Sequence, residues 1–296
     1  MTDDDLSIDE KRVFSSRSGK TEVFVAAAVG VVVVDVSDDR VGGFHVDHRC
    51  TARDVAGRDG RIAVATDEDV LLAPGYEATG FGPATAVGLA DDRIVAVGDD
   101  GRVGTLPFAS ALGTDGDADV ETDVDADADT GTGTDADAGP WRTVGRVDGA
   151  RGVDALLVAT ADGVRRIVGG DLHPAGLSDV RDVAAAGPFA ATGEGLFYLG
   201  NGWMEIEAGE WDVVDATPDR ERAHAAGVPG VRRRQARDGG EWRAVDLPLD
   251  GPPVGFAYGD GFVCTVTGDG TFLVDAGDGP RTQALGLRGV GGIAVP

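Results

Sequence analysis

Three stretches of the chain gather residue types that could do chemistry. His45-x-x-His48-x-Cys50 is the one close cluster of soft metal ligands. Zinc would want four donors in a tetrahedron, so Asp47 or a distant residue would have to complete the set. The stretch follows an apolar run with strand character, where His45 and Asp47 face one way and His48 the other; a polar strand edge is the expected role. In Asp115-Gly-Asp-Ala-Asp the acids alternate, which invites comparison with calcium loops that begin Asp-x-Asp-x-Asp-Gly and end in a bidentate Glu between two helices. Here Gly116 falls between the first two acids, no Glu closes the loop and no helical pattern flanks it, so solvation and diffuse cation condensation are expected. Arg232-Arg233-Arg234, with Arg237, is the basic concentration of an acidic chain. On a strand Arg232 and Arg234 share one face and Arg233 takes the other. Carboxylates of neighbouring strands are their expected partners, and Arg232 and Arg234 are the candidate contacts to an anion or a protein partner.

Catalytic constellations are not apparent. Glu194 and the Glu205/Glu207 pair could be glycosidase carboxylates only if two of them straddled a substrate at about 5–9.5 Å, which spacing along a chain does not define. There is no Gly-x-Ser-x-Gly elbow and no Gly-x-x-x-x-Gly-Lys phosphate loop. No catalytic, cofactor-binding or metal-ligating residue is therefore assigned, and no cofactor is expected.

The elements that must position these residues repeat. From Thr51 to Gly82 the chain reads as three short strands and a looser fourth, with apolar runs separated by Arg58-Asp59-Gly60, Asp67-Glu68-Asp69 and Pro74-Gly75. Further copies follow, and their second strands begin near Val23, Arg61, Arg93, Ala155, Phe189, Arg222 and Phe262. A period of roughly 40 residues with four strands predicts a propeller array. Trp141, Trp203 and Trp242 each open a fourth strand and are followed three residues later by Val144, Ile206 or Val245; Trp211 falls on a first strand instead. In the fourth copy Val153 to Thr160 reads as a single strand. Thr217 to Ala226 has a composition compatible with a helix, bounded by Pro218 and Gly227. The first copy lacks one strand, and Leu287-Arg-Gly-Val-Gly-Gly-Ile-Ala-Val resembles the missing piece. The C-terminus is thus expected to join the N-terminal blade and close the ring, which removes exposed edges.

Residues 1–20 are polar and without period, and are expected to be a flexible lead-in. Residues 113–139 consist almost entirely of Asp, Thr, Ala and Gly and contain no basic residue. Such a segment has no apolar face to bury, so a disordered acidic insertion is expected there. The remainder, 21–296, is expected to be one domain.

Across 296 residues, 52 acidic and 26 basic side chains give a formal charge of −26. This argues against nucleic acid or an anionic membrane as partner, since both repel such a surface. The apolar run from Val23 to Val34 is too short to span a bilayer, which needs roughly 20 residues, and Gly30 divides it. The start of the chain is acidic where a secretory signal is basic. Cys50 and Cys264 imply no disulfide framework, and a reducing cytoplasm is the expected location. The only lysines are Lys11 and Lys20, and the Asp-, Ala- and Val-rich, Arg-for-Lys style resembles that of proteins from salt-loving archaea.

With Ala191-Thr-Gly-Glu-Gly-Leu-Phe-Tyr-Leu-Gly-Asn-Gly-Trp203 and this style, the chain resembles an uncharacterised haloarchaeal β-propeller-like family. The resemblance implies a fold and transfers no reaction. The expectation is an all-β propeller of about seven four-stranded blades, with six as the alternative. Its expected role is a monomeric, non-catalytic scaffold that binds a protein partner in a halophilic cytoplasm. An enzyme or small-ligand binder using the central channel is the alternative.

Overall fold

Val-rich runs separated by Gly, Asp and Asn fold into hairpins because β-branched side chains suit a pleated, half-buried surface while the separators accept turn geometry. In the computed structural model, which describes residues 19–37, 39–111 and 139–296, these hairpins form seven four-stranded antiparallel sheets arranged as the blades of a ring. The lead-in and the acidic insertion lie outside the described residues except for Gly19, Lys20 and Gly139.

Blade 1 takes Lys20–Ala27, Gly30–Ser37 and Arg40–His48 from the N-terminal part of the chain, and its innermost strand, Gly292–Ala294, from the C-terminal part. That strand runs antiparallel to the first, pairing Phe24 with Ala294 and Val25 with Ile293. Blades 2 to 7 each run from the channel outward in chain order, with inner strands Ala52–Arg58, Ala84–Leu89, Ala150–Asp154, Val180–Ala184, Trp211–Ala216 and Pro253–Tyr258. In blade 3 the third and outer strands, Arg102–Pro107 and Arg142–Arg146, flank the acidic stretch.

Two local readings need correction. Val153 to Thr160 is not one strand: Ala155 adopts a left-handed φ of 49°, and the chain turns there from the inner strand into Leu157–Thr160. The composition after Thr217 that is compatible with a helix yields instead a turn and then Arg222–Gly227, the strand expected to begin near Arg222. The tryptophan regularity has a physical cause. Trp141 Nε1 donates to the Thr79 carbonyl at 3.1 Å and Trp203 Nε1 to the Ala175 carbonyl at 2.7 Å, tying an outer strand to the rim of the preceding blade.

The core lies in the layers between blades. Val23, Val25, Val32, Val34, Phe272 and Val274 fill the layer between blades 7 and 1, and Phe81, Ile94, Leu106 and Trp141 that between blades 2 and 3. The layer between blades 6 and 7 is thinner, its buried apolar cluster being only Val213, Ala226 and Phe256 among the described residues.

Candidate functional site

The inner strands of blades 2 to 7 share one irregularity, a register shift after the first residue, as between Ala52 and Asp54 or Val180 and Asp182. A bulge adds a residue to one strand and re-aims its side chain. Here the extra residues are Arg53, Thr85, Arg151, Arg181, Asp212 and Val254, which line the channel where the inner strands begin; this end is the upper face below. Arg53 pairs with Asp99, Arg151 with Asp179 at 2.5 Å, and Arg181 with Asp212 at 2.6 Å and Glu210 at 3.2 Å. Each guanidinium thus bridges toward the following blade.

Beneath this rim the channel encloses about 520 Å³, and four aspartates stand in its wall. Asp54 accepts the amides of Val55 at 2.8 Å and, in the next blade, Val87 at 3.0 Å. Asp182 accepts those of Val183 and Val214, both at 2.9 Å. Asp154 accepts the Ala185 amide at 2.6 Å and Asp215 the Phe256 amide at 2.8 Å. The rule is shared: an inner-strand carboxylate satisfies a backbone donor of the following blade, as buried amides require.

These carboxylates are half-buried, since water enters the channel, yet protein surrounds them. Loss of hydration raises the Asp54 carboxyl to about 6 and that of Asp215 to about 7, the latter with added repulsion from Asp154 and Asp54. Asp182 is pushed well up by burial and then by Asp215, and Asp154 is raised by burial despite the nearby Arg58. Carboxyl groups held near neutrality can serve as general acids or bases. Both oxygens of Asp54 and of Asp182 accept amides, whereas the amides of the following blade engage only Oδ2 of Asp154 and of Asp215, and Oδ1 of Asp215 is left without a hydrogen-bond partner among the described residues.

The stretches singled out by residue type are dispersed. His48 stacks on Tyr76 with ring centres 4.4 Å apart, and Asp47 accepts the Tyr76 hydroxyl at 2.6 Å while lying 3.4 Å from His45 Nε2. Cys50 is half-buried, and burial pushes its thiol up. Among the described residues no group of His, Cys, Asp and Glu is placed to hold a metal ion. The Asp115 run lies outside the described residues. Glu207 forms a two-point ion pair with Arg232, Nε at 2.8 Å and Nη2 at 2.6 Å, and the Arg232 guanidinium lies over the Trp211 ring. Arg234 donates to the Arg220 carbonyl at 3.1 Å and lies over Phe189. Arg237 is exposed and donates to Gln235. Glu194 sits exposed in an upper-face turn, and Glu205 pairs with Phe197 across the outer ladder.

Sequence reasoning passed over the channel aspartates, although a signal was present: Ala52-Arg-Asp-Val-Ala in blade 2 recurs as Val180-Arg-Asp-Val-Ala in blade 5. It also passed over a buried threonine that ends the second strand in several blades. Thr66, Thr160 and Thr192 each donate Oγ1 to a carbonyl three residues on, at 2.7 to 2.9 Å, bracing the upper-face turns.

Comparison with known proteins agrees with this architecture. A family model described as Beta-prop_HVO_0234-like, beta propeller, matches residues 7–296. No curated protein matches the chain. Among solved structures, the Pan2 WD40 domain of Neurospora crassa superposes with a TM-score of 0.55 at 10% identity, covering 84% of this chain and 83% of that one. Apo AztD from Citrobacter koseri gives 0.48 at 11% identity, over 94% and 98%. YCF48 bound to D1 peptide gives 0.49 at 14% identity, over 79% and 82%. At such identities the likeness concerns the fold.

Proposed function

The chain belongs to this β-propeller family, and from that premise we propose that it is a non-catalytic scaffold whose upper face binds a protein partner. One observation carries the reading: the channel aspartates hold the amides of the following blade, which makes the channel the axle of the ring. The surface left for recognition is the rim. Its turns present Asp67, Glu68 and Glu194 to solvent together with the exposed apolar side chains Val29 and Val228. Such a surface suits a partner of basic and apolar character. The scaffold acts as a monomer in a salt-rich cytoplasm, where short screening lengths permit its charge density.

Cross-linking capture from cell extract tests this. A partner held by wild type should be lost from a Glu68→Lys/Glu194→Lys double variant and kept by an Asp260→Lys/Asp278→Lys variant, which alters turns at the opposite face. Equal capture by all three would sink the assignment of the upper face. The unoccupied oxygen of Asp215 favours a second reading, a small ligand in the channel. Native mass spectrometry showing a retained small molecule that Asp215→Asn loses would support that reading over the scaffold.

A further inference from the structure

Beyond the channel, the thin layer between blades 6 and 7 holds a second cavity, of about 390 Å³, whose two walls differ in character. In blade 5 the residues facing the next blade are Phe189, Ala191 and Leu196. The inner-strand register places Ala226 and Val231 of blade 6 where blade 5 has Ala191 and Leu196, and His224 where it has Phe189. Arg233 stands across the ladder from His224, in the place of Tyr198, and Arg222 lies two residues before His224 on the same face. Two aromatic places of blade 5 are thus taken in blade 6 by an imidazole and a guanidinium, with a second guanidinium, Arg222, beside them. The facing wall, from blade 7, is apolar, with Phe256, Val263 and Leu273.

Two of the three polar groups are engaged. Arg222 donates to the carbonyls of Phe262 at 2.9 Å and Gly259 at 3.0 Å, and its guanidinium lies over Tyr258. The Tyr258 hydroxyl donates to the Asp215 carbonyl at 2.9 Å, so at the 3.1 Å contact with His224 Nδ1 the imidazole must be the donor. His224 is buried and stacks on Phe256; it is held neutral by burial and by the charges of Arg233 and Arg222. Arg233 is half-buried and has no hydrogen bond or ion pair among the described residues. Glu221 and Asp275 also line the cavity, but neither lies in ion-pair range of Arg233, and Asp275 accepts the Gly277 amide at 2.8 Å.

We propose that this cavity is a binding site for a small monocarboxylate with an apolar body, its carboxylate on Arg233 and its body against Phe256, Val263 and Leu273. A guanidinium in an apolar recess needs an anion to offset its lost hydration, and its fork matches a carboxylate at two points. Arg233 is the half-buried guanidinium of the lining with open donors, Arg237 being exposed and tied to Gln235, and Glu221 and Asp275 stand beside it. Within a chain of charge −26 this favours a single negative charge over a phosphate dianion. The apolar wall supplies the remaining affinity, as in most small-molecule sites.

The test is calorimetric titration of the full chain with 3-phenylpropionate, with acetate and 3-phenylpropanol as controls in the same salt. Phenylpropionate should bind, and neither control should match it. Arg233→Gln should weaken binding by at least about tenfold, while Arg234→Gln, on the opposite face of the same strand, should leave it unchanged. Should Arg233→Gln fold poorly, methyl resonances decide the matter in wild type: those of Val263 and Leu273 should shift on titration and that of Val158 in blade 4 should not. Equal binding of the alcohol, undiminished binding by folded Arg233→Gln, no binding of phenylpropionate, or shifts confined to channel residues would each overturn the proposal.

Discussion

An aspartate in a β-strand normally costs stability, and the four in the channel wall are tolerated because each satisfies an amide that would otherwise lack a partner. The two roles of Asp215, acceptor and charge, can be separated. Asparagine keeps an acceptor for the Phe256 amide and removes the charge, whereas alanine removes both. At pH 8 Asp215→Asn should therefore match or exceed wild type in chemical denaturation, and Asp215→Ala should lose about 1–3 kcal/mol to the stranded amide. The pH dependence has a definite sign. The folded carboxyls of Asp54 and Asp215, at about 6 and about 7, lie above the ordinary aspartate value of 3.8. The native state therefore holds extra protons between these values, and the associated stability, full below about 3.8, is lost as pH rises through 6 to 7. His224, lowered to about 3 from 6.5, acts oppositely: its contribution is full above 6.5 and is lost as pH falls toward 3. Thermal melts from pH 5 to 8 should show a decline that Asp215→Asn flattens; an unchanged slope would contradict the assignment. These aspartates were legible only as a phrase, Arg-Asp-Val, because a strand pattern says which way a side chain points but not which amide of the next blade awaits it.

At the level of elements, the pairing of Gly292–Ala294 with the first strand of blade 1 depends on two adjacent glycines. A Cβ on Gly291 would stand 1.9 Å from the Arg53 carbonyl oxygen, and one on Gly292 2.8 Å from Asp54 Oδ1. The innermost strand of blade 1 can thus approach blade 2 only with a bare backbone. Gly291→Ala should destabilise by about 2 kcal/mol or more, in the range of overpacked sites, and should speed amide exchange at residues 24–26 relative to blade 4. Protection equal to wild type would show that the strand is dispensable to the blade. The order of hairpins was readable because the period of two and the turn residues are local. The bulge in the inner strands of blades 2 to 7 was not, since it arises where neighbouring strands converge on the axis. The same limit explains Val153 to Thr160, where a left-handed Ala155 splits a run that reads as continuous.

For the whole molecule, the dominant long-range quantity is the charge of −26. Ion pairs such as Arg151 with Asp179 and Arg181 with Asp212 are already counted in that net figure and do not reduce it. The Debye length shortens from about 10 Å at 0.1 M to about 3 Å at 1 M salt, so the melting temperature should rise steeply over that interval in potassium chloride. A flat or falling profile would remove the halophilic reading. The sequence by itself determined the repeat, the strand and turn order, the count near seven, the acidic stretch and the net charge, because each is written in neighbouring residues or in a sum over all of them. Only the tertiary structure decided what the charged residues do. It bound Arg232 to Glu207, stood four aspartates against the amides of following blades, and left Arg233 open to a cavity between blades 6 and 7. The physical reason is that a propeller's sites form between blades, where residues some 30 to 40 positions apart along the repeat meet, and no local pattern records which of them will face a partner and which a void.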